Sequence, residues 1–138
     1  MARWLCKIEP DCYSFDTLLR DGETLWDGVS NALARKHLRQ MKPGDRVLYY
    51  HTGKEKSVVG EMVVAGEPGP DTKADDEAAV AVAMRPVRKL PRPVSLSEIK
   101  ADKVLAAWDL VRLPRLSVVP VTDAQWNRVE KMAAGEAK

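Results

Sequence analysis

The residues best equipped for chemistry lie in one short run, Leu25-Trp26-Asp27-Gly28-Val29-Ser30-Asn31. Trp26 supplies an indole, and Asp27 an acceptor beside it. Gly28 lets the backbone turn sharply, and Asn31 can cap a helix whose first N–H groups are free to donate. An aromatic face, an acceptor and a set of donors so close together suit a flat polar ligand such as a nucleobase. The same run also fits a buried tryptophan on a turn followed by an N-cap, and both readings stay open.

Downstream, Asn31, Arg35 and Arg39 fall at i, i+4 and i+8, on one side of a predicted helix, with Lys36 and Lys42 nearby. This is either a solvated basic face or a phosphate-contacting face assisted by the helix N-terminus. The groups suited to bond chemistry are scattered. Cys6 and Cys12 are candidate nucleophiles, and Glu9, His37 and His51 are candidate bases. No nucleophile-elbow motif joins them, and the two cysteines and two histidines lack zinc-ligand spacing, so no metal and no cofactor is expected.

These groups need elements to position them. Residues 3–8 alternate as a short strand, ended by Glu9-Pro10-Asp11. Ser14 caps a predicted helix over 15–19, stopped by Arg20-Asp21-Gly22. A second helix runs over 31–41, with Ala34, Leu38 and Met41 as its core stripe. After the Lys42-Pro43-Gly44-Asp45 turn, 46–51 is a strand apolar on both sides, hence central. Residues 57–65 form the next strand, in which Gly60 marks a bulge or a close approach. Residues 66–77 are loop. Residues 78–86 are a third long strand, with a helix as the alternative. Capping boxes at Ser95–Glu98 and Thr122–Gln125 open a short helix through Ala101 and a C-terminal helix to about Ala133. A further helical turn is expected over 103–108, a strand over 115–121, and a frayed tail over 135–138. Trp108 and Trp126 are expected to be packing residues.

Strands and short helices mix without βα alternation, which predicts an α+β domain with a small curved sheet or barrel and helices around it. The chain of 138 residues suits one domain, and its 45% hydrophobic and 30% charged content suits a soluble globular protein. No apolar run reaches the roughly 20 residues of a membrane span, and the N-terminus does not resemble a signal peptide. The expectation is a cytoplasmic protein, or a nuclear or organellar one in a eukaryote, with reduced thiols. A net charge of +2 permits an anionic partner without establishing one.

The order of motifs resembles the EVE domain, a member of the PUA-like superfamily. The matching pieces are Trp4-Leu5-Cys6-Lys7-Ile8-Glu9-Pro10, Tyr13-Ser14-Phe15-Asp16-Thr17-Leu18, Trp26-Asp27-Gly28-Val29, Asn31 and Ala34-Arg35. They continue with Met41 through His51, Val59-Gly60, Val111-Arg112 and Arg115-Leu116-Ser117-Val118. The resemblance covers roughly residues 3–132. It implies a PUA-like fold, a mixed β pseudo-barrel flanked by short helices, with a pocket resembling the base pocket of YTH domains. Carried onto this chain, Lys7, Glu9 and Pro10 line it from the first strand's end. Trp26, Asp27, Gly28, Val29 and Asn31 form the turn wall, Arg115 and Ser117 come from the late strand, and Tyr50 and His51 stand near the rim. The implied function is a non-catalytic reader of a modified nucleobase, modified cytosine in DNA ahead of RNA, acting as a monomer with no membrane. Arg35, Lys36 and Arg39 would hold phosphates. The chain departs from the family at Ser30, Ala32 and Val119, where an Arg, an aromatic residue and a Gln are common. The alternatives are a small-molecule or nucleotide-binding interaction module and, behind it, a nucleic-acid-modifying enzyme.

Overall fold

The computed structural model describes residues 2–74 and 76–135, so the tail expected over 135–138 lies outside the described residues beyond Gly135. In chain order the elements are β1 (Arg3–Ile8), α1 (Phe15–Asp21), β2 (Thr24–Trp26), α2 (Ala32–Gln40), β3 (Arg46–His51) and β4 (Ser57–Val64). There follow β5 (Gly69–Pro70), β6 (Val80–Ser95), α3 (Leu96–Ala101), α4 (Asp109–Arg112), β7 (Val118–Val121) and α5 (Asp123–Ala133). None of the described helices is long and apolar enough to cross a membrane.

Local chemistry sets most boundaries. Ser14 accepts the Thr17 N–H and opens α1, and Gly22 closes it in the left-handed region at φ 79°. Asn31 caps α2 through the Ala34 N–H at 2.9 Å. Both expected capping boxes form, at Ser95–Glu98 and Thr122–Gln125. Ala34, Leu38 and Met41 are buried together, as their spacing requires.

The strands form one curled mixed sheet in the order β2-β6-β4-β3-β1-β7, with β5 paired to β6. Among the described residues only the β1–β3 pairing is parallel. The fold is therefore α+β with a PUA-like half-barrel, as expected, and β3 is an inner strand buried on both faces.

Five details depart from expectation, the first being that residues 66–77, expected as loop, carry the two-residue strand β5, held by its pairing with Val80 and Ala81. The strand expected over 78–86 starts at Val80 and continues through three prolines to Ser95. Its ladder with β4 explains the tolerance: Gly60 pairs with Lys89 and Val58 with Val94, so Leu90 to Pro93 bulge opposite Val59 alone. Pro91 and Pro93 thus sit where no ladder donor is needed. Thr24–Trp26 pairs with β6 as an edge strand too short to carry a periodic signal. The strand expected over 115–121 is confined to Val118–Val121, and a short helix, α4, follows the turns expected over 103–108.

Gly60 meets the expectation of a close approach. A Cβ there would lie 2.5 Å from the Phe15 ring, so the ring packs directly on the strand backbone. Trp108 and Trp126 are buried, and their indole N–H groups donate to the Pro120 carbonyl and the Glu130 carboxylate.

Candidate functional site

The curl of the sheet brings its two ends together. Thr24, Leu25 and Trp26 come from the β2 edge, and Lys7, Ile8, Arg115 and Ser117 from the β1–β7 end. Between them lies a cavity of about 680 Å³, closed on a third side by the turn Asp27 to Asn31. That volume falls in the range of small-ligand sites. Lys7 and Ser117 reach it because β1 pairs with the segment entering β7: the Lys7 N–H donates to the Ser117 carbonyl at 2.9 Å. The Lys7 ammonium donates to the Pro114 carbonyl at 3.0 Å and lies 5.8 Å from the centre of the Tyr50 ring. Burial pulls the Lys7 pKa below the ordinary lysine value.

Trp26 is only 5% exposed, and its ring meets Tyr49 edge to face at 5.5 Å. So little exposure leaves no free indole face for stacking. The other three tryptophans donate their indole N–H, Trp4 to Asp45, Trp108 to Pro120 and Trp126 to Glu130. The Trp26 N–H has no partner among the described residues, yet it is not sealed from solvent. On a residue that lines the cavity, that makes it an uncommitted donor in the wall.

The turn wall is held from behind by the loop between β5 and β6. Gly28, at φ 72°, takes a conformation that favours glycine, and its N–H donates to Asp71 Oδ2 at 2.9 Å. Asp71 is buried at 5% exposure and also accepts the Lys73 N–H at 3.1 Å. The Gly28 N–H, aided by the Lys73 and Ala74 amides and the Lys73 charge, outweighs desolvation and holds the Asp71 carboxyl below the usual range. Lys73 enters the cavity wall with its ammonium 3.7 Å from Asp27. Arg35 donates from Nε to the Val29 carbonyl and from Nη1 to Asp76, both at 2.7 Å. Arg39 donates to the Ala78 carbonyl. Asp71, Lys73 and Asp76 escaped the sequence reading because their loop has no periodicity and their partners lie some forty positions away.

Of the residues assigned to the pocket by resemblance, Lys7, Trp26, Asp27, Gly28, Val29, Asn31, Arg115 and Ser117 line this one cavity. Glu9, Pro10, Tyr50 and His51 do not. Tyr50 is buried in the core, and Glu9 lies against Gly53. His51 accepts the Phe15 N–H at Nε2 at 3.0 Å, which leaves Nδ1 as the donor to Glu55 at 3.0 Å. Arg35 and Arg39 are committed to the β5–β6 loop as just described, whereas Lys36 is exposed. Cys12 and Tyr13 enter the lining instead. Among the described residues no group of His, Cys, Asp or Glu could hold a metal ion.

Fold and cavity together define a PUA-like α+β domain with a walled hollow between the two ends of its sheet. The chain belongs to the EVE domain family, whose model matches residues 2–132. It is similar to human thymocyte nuclear protein 1, with 30% identity covering 93% of this chain and 72% of that protein. Among solved structures it is similar to Rpa0253 from Rhodopseudomonas palustris, with a TM-score of 0.92 and 37% identity over 97% of this chain and 94% of the other. It is also similar to human THYN1 in complex with 5-methylcytosine-containing DNA, with a TM-score of 0.89 and 27% identity over 96% and 98% of the two chains.

Proposed function

We propose that this chain is a single-domain monomeric reader, roughly residues 3–132, that takes a modified cytosine of DNA into the cavity between β2 and β1. It makes and breaks no bonds. The observation that carries this reading is the uncommitted Trp26 N–H on a residue lining the hollow, and the complex of human THYN1 with 5-methylcytosine-containing DNA supports the choice of ligand.

A cytosine leaving its stack costs a few kcal/mol, which contacts in the cavity must offset. Asp27 accepts from the exocyclic amine. The Trp26 N–H donates in the ring plane to a base acceptor, and the backbone amides near Asn31 face a carbonyl. Lys7, held by Pro114, adds positive potential beneath. A single methyl contributes about 0.8 kcal/mol when buried, a several-fold preference. Discrimination by the methyl alone is therefore modest.

Two of the candidate reactive groups support binding over catalysis. Burial pushes the Cys6 thiol above its ordinary range, so it stays protonated, and both ring nitrogens of His51 are engaged structurally. Arg35 braces the turn wall, Arg39 holds the β5–β6 loop through the Ala78 carbonyl, and Lys36 contributes the sequence-blind attraction to phosphate.

The test compares duplexes with and without one central 5-methylcytosine, titrated with wild type and Trp26→Phe. Phenylalanine keeps an aromatic ring and removes the N–H. The expected result is several-fold preference by wild type and about tenfold weaker binding by the variant, the cost of one lost buried hydrogen bond. Equal binding of the modified duplex by the two proteins would sink this reading. Free nucleotide bound as tightly as DNA, without salt dependence, would assign the cavity to a small molecule.

A further inference from the structure

The main cavity has a neighbour. Asn31 and Arg115 also line a second, shallower cleft of about 310 Å³, walled by Leu33, Leu113 and Pro114 with Arg112 at its lip. Leu33 is 41% and Leu113 37% exposed. Single exposed leucines are ordinary, but two facing one cleft beside a polar hollow form a small apolar platform. The charge around it is positive. Asp109 is already engaged by Arg112 at 2.8 Å, and Arg115 is exposed with no partner among the described residues.

We propose that this cleft seats the nucleotide next to the extruded base, with the phosphate joining the two held by Arg115; this rests on the base-cavity reading above. A phosphodiester lies between the two nucleotides it links, so its ligand must border both seats. Asn31 and Arg115 are the residues common to the two linings, and Arg115 is the cation of the pair. Asn31 caps α2, a nine-residue helix whose positive end adds to the attraction for an anion at that boundary. The sugar and base of the neighbouring nucleotide rest on Leu33 and Leu113, an apolar contact indifferent to sequence. The protein would then read two consecutive nucleotides unequally, one by its polar edge and one by its bulk.

The test titrates the nucleoside 5-methyl-2′-deoxycytidine, followed by NMR shifts, and a single-stranded oligonucleotide with one central 5-methylcytosine. The proteins are wild type, the double variant Leu33→Ser/Leu113→Ser, Arg115→Gln and Trp26→Phe. The exposed leucines are expendable for folding, which an unchanged melting temperature would verify. The double variant should bind the nucleoside as wild type does and the oligonucleotide about fivefold or more weakly. Arg115→Gln should make the salt dependence of oligonucleotide binding shallower by about one phosphate contact. Unchanged oligonucleotide affinity in the double variant, or equal loss for both ligands, overturns the proposal. So does dimerisation that the double variant abolishes without affecting DNA, which would give the cleft to a second copy of the chain. Trp26→Phe reports separately: if it alone is silent, the base-cavity reading fails while the cleft keeps a role in strand binding.

Discussion

Asp71 grips Gly28: its carboxylate accepts the Gly28 N–H at 2.9 Å across 43 positions of sequence. The bond joins the β5–β6 loop to the turn that carries Asp27, so the wall of the cavity is set by a residue outside it. Asp71→Ala leaves that amide without its acceptor and frees the turn. The expected outcome is about tenfold weaker binding of a 5-methylcytosine oligonucleotide, with Asp71→Asn, which can still accept, recovering much of the loss. Fluorescence anisotropy titrations check this, and full affinity in Asp71→Ala would show that the turn holds itself.

Gly60 carries the Phe15 ring against the strand backbone. An added methyl would stand 2.5 Å from that ring, and the ring, wedged edge-on against Tyr49 at 5.2 Å, has little room to retreat. Gly60→Ala should cost about 1–3 kcal/mol of stability, as overpacked core sites do. Urea denaturation measures it. A neutral result would mean that the ring repacks freely.

Acid should loosen the junction of α3 and α5. Glu98 receives Arg92 and the Ser95 amide, and Arg92 also donates to the Met132 carbonyl at 2.8 Å. Arg92 first, with the Ser95 donors, overcomes desolvation and lowers the Glu98 carboxyl from 4.5 to about 2. A carboxyl depressed in the folded state stabilises it fully above the unfolded value and loses that contribution as pH falls through the folded value. Stability should therefore decline between pH 4.5 and about 2, and Glu98→Gln, which retains the helix cap, should flatten that part of the curve. Melting temperature against pH checks it.

The basic face of α2 divides by partner. Arg35 braces Val29 and Asp76, whereas Lys36 is exposed. Lys36→Gln should leave stability unchanged within about 0.5 kcal/mol and reduce the salt slope of DNA binding by about one contact. Arg35→Gln should lower affinity through the turn wall, with a melting-temperature loss that Lys36→Gln lacks.

Much of this was legible in the residues. Ser14, Asn31, Ser95 and Thr122 announce their helices because capping is local, and the apolar faces of 46–51 announce an inner strand. Trp26-Asp27-Gly28 announced a turn with functional groups for the same reason. What could not be read was pairing at a distance. Nothing local to Asp71 points to Gly28, and three prolines hide a long strand until its bulge against Val59 is seen. Alternation places Tyr50 and His51 on opposite faces of β3 without saying what each face meets; the structure gives the core to Tyr50 and the Phe15 amide to His51.

The cavity is flanked by strands that are not neighbours in the ladder order, β2 at one terminus of the sheet and β1 with β7 at the other. A bound ring touching both would serve as a strut across a seam that the backbone leaves unstitched. Occupancy should then slow amide exchange at Thr24–Trp26 and at Val118–Val121 together, although the two segments share no ladder. The gain would grow with ligand concentration as mass action requires. In such a molecule recognition and mechanical closure are one event, and a ligand that fits only one flank would be held without tightening the shell.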